Sequence, residues 1–318
     1  MSRFQKMLKY LATERGRMAS LYCVSTVGIG IFVSRWAPHS VGIEKYREFA
    51  TCYKFGIEKK LSDKVHHRFE KALNMVKDMS ELERSRFKMF CVFGMEPRHF
   101  GSKHSIWGSY VGIPDNFNYE TANDIPKGAI VMHNKPIPWS TEGGKKIEQS
   151  LVLTEDEQIF AMLKEILALR TWEWPLNCFY PVMTLFTAYG LSHYINTKLK
   201  LFQRPLSLRL VMYSLVGVFM IGNYCFATDA TQIYHDSRID KEIATMGKEM
   251  VDAGVRYYDK ILQRNIALRE ITGDYSLYSS GGNVNFLVRQ RTMPFTARKD
   301  FFQEQLKKLQ EGASMEMN

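Results

Sequence analysis

Between Trp174 and Asp229 the chain carries two runs free of Asp, Glu, Lys and Arg: LNCFYPVMTLFTAYGLSHYI (176–195, 20 residues) and LVMYSLVGVFMIGNYCFAT (210–228, 19 residues). The hydrocarbon core of a bilayer is about 30 Å thick and a helix rises about 1.5 Å per residue, so about 20 residues cross it. The two runs are therefore predicted to form a transmembrane helical hairpin, with a 14-residue link at 196–209. Trp172 and Trp174 precede the first arm, where interfacial aromatics are common, and Pro181 inside it is tolerable in lipid. A buried hairpin in a large soluble protein is the alternative. A third run, MASLYCVSTVGIGIFVS (18–34, 17 residues), sits between Arg17 and Arg35 at the lower limit of length. Its basic start resembles a signal peptide, but SRWAPHS offers no small-x-small cleavage site, so a retained transmembrane helix is expected.

The charge supports this layout. The net +10 is concentrated in two places. Residues 1–17 hold Arg3, Lys6, Lys9, Arg15 and Arg17 against Glu14, and residues 196–209 hold Lys198, Lys200, Arg204 and Arg209 with no acid. Both basic segments abut apolar runs, so they read as membrane-flanking charge rather than as a surface for nucleic acid. A mean hydropathy of −0.25 leaves room for few spans and implies a substantial soluble part, assigned to 40–170 and 229–318. Cys23, Cys52, Cys91, Cys178 and Cys225 are scattered with no CxxC, which argues against a disulfide framework or zinc ribbon.

Within the soluble part, 41–93 reads as helical, with apolar positions at helical spacing in SDKVHHRFEKALNMVKDM (62–79). From 107 to 153, Gly, Pro, Asn and Asp punctuate short β-prone runs, predicting a small sheet of two to four strands. In LTEDEQIFAMLKEILALR (153–170), Thr154 and Glu157 have capping-box spacing before a helix that is apolar on most sides yet carries Lys164 and Glu165 near its middle. Leu163 and Ile166 are expected to be buried where this helix meets the sheet. Residues 236–273 read as one long helix or two with a break at Gly254. SSGGN (279–283) reads as a turn, 286–310 as a short apolar run and an amphipathic helix, and 311–318 as a disordered tail.

The order of strands, apolar helix, hairpin and acidic helix is similar to that of the HtpX-like membrane zinc metallopeptidases, which makes a degenerate zincin-like core one reading of the fold. Their chemistry needs HExxH on a helix. With Glu165 in the Glu position, Lys164 and Ala168 fall where the two histidines belong, and no His occurs from 134 to 192. Downstream, in DKEIATMG (240–247), Asp240 and Ala244 stand where the acidic ligands would. Metal, cofactor and catalytic residues are therefore assigned as none, and Lys164, Glu165 and Asp240 are taken as a partner contact or the relic of a site. Adjacent His66 and His67 read as a solvated face, His99, His104 and His133 as loop histidines without ligand partners, and His193 as interfacial.

Three segments together resemble the transmembrane protein 177 family: YVGIPDNF (110–117); QSLVLTEDEQIFAMLKEILALR (149–170) leading into the hairpin; and AGVRYYDKILQRNIALREITG with LYSSGGNV and MPFTARKD, between 253 and 300. The similarity is expected over roughly 105–300, with 41–93 poorly matched. The resemblance implies a multi-pass protein of the mitochondrial inner membrane. It also implies a non-catalytic part in cytochrome c oxidase assembly, through newly made subunit 2 and the chaperone that attends it. Cofactors are none, and the partners are those proteins and membrane lipid. The fold class expected is an α+β membrane protein, mainly helical, with a small β-sheet, the hairpin and the N-terminal span. A divergent membrane-bound hydrolase of metallopeptidase type is the alternative function.

Overall fold

A computed structural model describes residues 10–11, 13–132 and 135–316, and the chain divides into two compact units. His133 and most of the basic start lie outside the described residues.

The first unit comprises residues up to His39 together with Trp172–Thr231. Its helices are α1 (Glu14–Trp36) and α7 (Glu173–Lys198), together with the first two-thirds of α8 (Leu206–Ala244), which continues past Thr231 into the second unit. Thr13 caps α1 by accepting from the Gly16 N–H. Among the described residues, two helices are long and apolar enough to cross a membrane, Glu14–His39 and Leu206–Ala244, and only 11% and 17% of their apolar windows are buried. That exposure separates them from core helices of a soluble protein, which bury such faces. The first arm of the expected hairpin is a 26-residue helix with Pro181 inside, but it does not reach the same hydropathy. Asn177, Tyr180, Tyr189, His193 and Tyr194 dilute it. Helix α1 packs on α7, with Phe32 against Phe179 and Phe186 over Gly28. At the end of α1, Arg35 donates to the Asn177 carbonyl and to the Tyr224 hydroxyl, tying it to α7 and α8.

The second unit, Ser40–Thr171 with Gln232–Asn318, is built round a three-stranded sheet. Strand β5 (Ser109–Pro114) lies in the middle, parallel to β3 (Phe87–Val92) and antiparallel to β4 (Arg98–Gly101). All six residues of β5 are buried, because helices cover both faces. On one face α2 (Ile43–Ala50) packs Ile43 and Tyr46 over Phe90, Phe100 and Tyr110. On the other lie α3 (Asp63–Met75) and α6 (Glu155–Leu169), with Val65, Phe69, Leu163 and Ile166 against Val111 and Ile113. Then come α9 (Lys248–Thr272) and α10 (Phe295–Glu316), which bring Tyr258 and Phe302 against Phe160 at 5.6 and 5.2 Å between ring centroids. Helix α5 (Glu142–Leu151) closes a smaller core with α9 through Ile147, Leu151, Ala267 and Leu268. The short α4 (Glu81–Ser85) leads into β3.

Several expectations change. Residues 41–93 are not helical throughout: Tyr53–Lys54 (β1) and Ile57–Glu58 (β2) make a hairpin, and β3 is a strand. The expected 107–153 sheet supplies only β5 to the main sheet, plus a separate pair, β6 (Val131–Met132) with β7 (Lys135–Pro136). The chain breaks at Gly247, with φ +121°, and not at Gly254, which lies inside α9. A Cβ on Gly254 would come within 2.8 Å of Phe160 and 2.9 Å of Phe302, so this glycine serves close packing. Helix α10 runs on to Glu316 through most of the expected tail. The SSGGN segment is a turn: Gly282 N–H donates to the Ser279 carbonyl and Asn283 N–H to the Ser279 hydroxyl, so these donors close on their own turn.

Candidate functional site: a buried network of paired charges

Helix α6 starts as its sequence predicts. Thr154 accepts from the Glu157 N–H, and the Glu157 carboxylate accepts from the Thr154 N–H, forming a capping box. Glu157 also accepts from Lys260 at 2.7 Å, which ties the start of α6 to α9. Twelve of the fifteen residues of α6 are buried, because sheet, α3 and α9 surround it. Leu163 and Ile166 are fully buried, and so, almost completely, is Glu165.

Such a helix can carry Glu165 only if the charge is matched. Glu165 Oε1 lies 3.1 Å from Lys164 Nζ and Oε2 lies 2.6 Å from His99 Nδ1. His99 sits on β4 and is about one-third exposed. Burial by itself raises the Glu165 carboxyl, but Lys164 beside it and the hydrogen bond from His99 outweigh this and hold it well below the usual carboxylate range. The same field keeps Lys164 protonated despite its burial.

Two further pairs complete the network. Glu96, in the loop between β3 and β4, pairs with Arg264 of α9, and Asn265 donates to the Gly282 carbonyl at 2.8 Å. Arg298, in the first turn of α10, grips Asp240 with two bonds of 2.7 and 2.6 Å, lies 3.5 Å from Asp236 and stacks over the Tyr258 ring. Lys164 is close enough to affect both neighbours: it lowers the Glu96 carboxyl and is itself opposed by Arg298. The Tyr257 hydroxyl is buried beside these groups without a hydrogen bond, and burial pushes its pKa up to about 12. Three cations and His99 thus face four carboxylates.

The structure does not support a zincin-like core. Glu165 is bound to Lys164 and His99, Asp240 is taken up by Arg298 and Tyr258, and Ala168 packs in the apolar core. Among the described residues, no group of three or more His, Cys, Asp or Glu side chains is placed to hold a metal. Lys164 and Glu165 meet as the sequence suggests, and Asp240 joins a neighbouring pair. His66 and His67 are exposed, and His193 stacks on Tyr189.

His99, Glu96, Arg264 and Arg298 escape a sequence reading because their partners are 58 to 168 residues away. One signal was available. Arg298 and Lys299 open a helix with no acid in its first turn, where the macrodipole disfavours cations unless they are paired.

The sequence model of the family described as Transmembrane protein 177 matches residues 110–316, about two-thirds of the chain. The chain belongs to this family. It is similar to the Transmembrane protein 177 of Danio rerio, 26% identical over 94% of this chain and 96% of that one. The Xenopus laevis protein of the same name is 26% identical over 92% and 94%, and the Homo sapiens protein 26% identical over 67% and 70%. The family model's match begins at residue 110, so 41–93 lies outside it, although the longest alignments span that region. No solved structure matches the chain. The parts of the third of the segments that carried the family resemblance interlock in three dimensions, and they hold Asp240 upstream. Asn265 holds Gly282, the Asn283 amide donates to Thr296 at 2.9 Å and accepts its N–H at 3.0 Å, and Arg298 holds Asp240.

Proposed function

We propose that this family member is a three-span, non-catalytic assembly scaffold of the mitochondrial inner membrane. In this reading it associates with newly made cytochrome c oxidase subunit 2 and the chaperone that attends it. The observation that carries the scaffold reading is the internal pairing of the buried charges. The groups that could do acid–base chemistry are engaged with one another, as expected of elements that fix a shape. Lys164, Glu165 and Asp240 then act by holding the unit that meets the client.

Chain closure supports the hairpin part of this reading. Residues 40–171 and 232–318 fold as one unit, so both lie on one side of any membrane. The segment between them must cross an even number of times. If α8 crosses, α7 crosses with it despite its lower hydropathy, and the hairpin is restored. With α1 as a third span, the segments 1–17 and 196–209 share a side. The positive-inside tendency assigns that side to the matrix and the folded unit to the intermembrane space.

The test is native co-purification from mitochondria with wild type and Glu165→Gln, normalised to the amount of scaffold recovered. Subunit 2 recovery within about twofold of wild type supports the reading. Two results would favour the membrane hydrolase instead: loss of function at normal protein level and normal client binding, or stoichiometric zinc on elemental analysis. Absence of subunit 2 from the wild-type eluate would overturn the partner assignment.

A further inference from the structure

The first unit contains a cavity of about 470 Å³ between the start of α1, the end of α7 and the start of α8. One end of it is cationic. Arg17 and Arg209 both lie over the ring of Phe202, at 5.9 and 5.6 Å from its centroid. The Nε donors of both guanidiniums and the Oδ1 acceptor of Asn196 on the cavity wall are buried without a hydrogen-bond partner among the described residues. Among the described residues, no Asp or Glu lines the cavity and neither arginine has a carboxylate partner.

Each arginine also sits in the first turn of a helix, α1 or α8, where the helix dipole adds positive potential. Two guanidiniums and two helix N-termini converge on one space whose lining, among the described residues, holds no acidic side chain. The rest of the wall is apolar, with Val24, Leu185, Leu210 and Val216 leading along the helices away from the arginines.

We infer that this cavity binds an anionic phospholipid, with its phosphate between Arg17 and Arg209 and an acyl chain along the apolar wall. Basic pockets between membrane helices recognise acidic headgroups in this way, and the guanidinium fork suits phosphate oxygens. A soluble anion would use the arginines but not the wall, whereas a neutral lipid would use the wall but leave the guanidiniums uncompensated. The inference rests on the membrane placement of the first unit and does not depend on any protein partner.

The test uses full-length protein, purified in detergent, stripped of lipid and titrated with dioleoyl phosphatidylglycerol or dioleoyl phosphatidylcholine. Wild type should prefer the anionic lipid by about tenfold or more, and R17Q/R209Q should lose that preference. K198Q/K200Q removes the same charge from exposed residues outside the cavity and should stay within about twofold of wild type. Equal affinity of wild type for the two lipids would overturn the inference, even if the double variant does not fold. So would equal losses in the two charge variants, which would mean general attraction to a basic surface. Displacement of the bound lipid by millimolar inorganic phosphate would show an anion site without a lipid site and would also overturn it.

Discussion

At the scale of single residues, Gly254 shows how one position can be read in opposite ways. As a helix break, it would be a weak point, and Gly254→Ala would gain about 1 kcal/mol of helix propensity. As a packing glycine between Phe160 and Phe302, the same change forces two rings aside and should cost about 1–3 kcal/mol. A lower thermal midpoint for the alanine variant is expected, and a higher one would refute the packing role. Arg298 and Asp240 give a second test. A buried pair contributes little net stability but is costly to break from one side. Asp240→Asn should lose about 3–5 kcal/mol by leaving Arg298 without its counter-charge, while Asp240→Leu combined with Arg298→Met should recover part of that loss. Chemical denaturation of the purified variants measures both. Equal losses in the single and double variants would mean the pair is not the unit that matters.

At the scale of elements, α6 was well specified. Its cap, its length and its apolar character on most sides are written locally, and Leu163 and Ile166 are buried as expected. Its charge has a measurable consequence. The Glu165 carboxyl in the folded state titrates below its ordinary value of 4.5. Its contribution to stability is therefore complete above that pH and is lost as pH falls towards the folded-state value. Wild type should be more stable than Glu165→Gln at pH 7, and the gap should narrow below about pH 4.5. Thermal melts across pH 3–7 check this; a gap that is constant with pH would place the effect of Glu165 elsewhere. The β1–β2 hairpin offers a contrasting case. Its turn puts Phe55 and Gly56 at φ +53° and +78°, a combination that favours Asn-Gly, yet Phe55 is 95% exposed. Phe55→Asn should raise stability by a few tenths to about 1 kcal/mol. A drop in the melting temperature would show that the Phe55 ring has stabilising contacts.

At the scale of the whole molecule, one compact unit is formed from two separated stretches of chain, and the proposed topology is built on it. In mitoplasts with ruptured outer membranes, protease should cut in both 40–171 and 232–318, as the intermembrane-space reading requires. Protection of both until detergent is added would move the unit to the matrix side and argue for two spans. Cleavage in only one of them would contradict their folding together. The family likeness and the two candidate spans establish a membrane protein; the compartment is what this experiment decides.

By itself, the sequence determined whatever depends on neighbours a few residues apart. Helix caps, apolar runs long enough for a bilayer, the basic segments beside them and the family motifs all follow from spacing along the chain. The tertiary structure decided what depends on distant partners. Strand β3 looked helical until β5 paired with it, and Gly254 looked like a break until Phe160 and Phe302 closed over it. His99 lacked a partner until Glu165 reached it across 66 residues, and Asp240 looked like a displaced ligand until Arg298 bound it. The physical reason is the same in each case. Burying a charge or removing a side chain costs free energy locally, and only a contact made by the folded chain returns it.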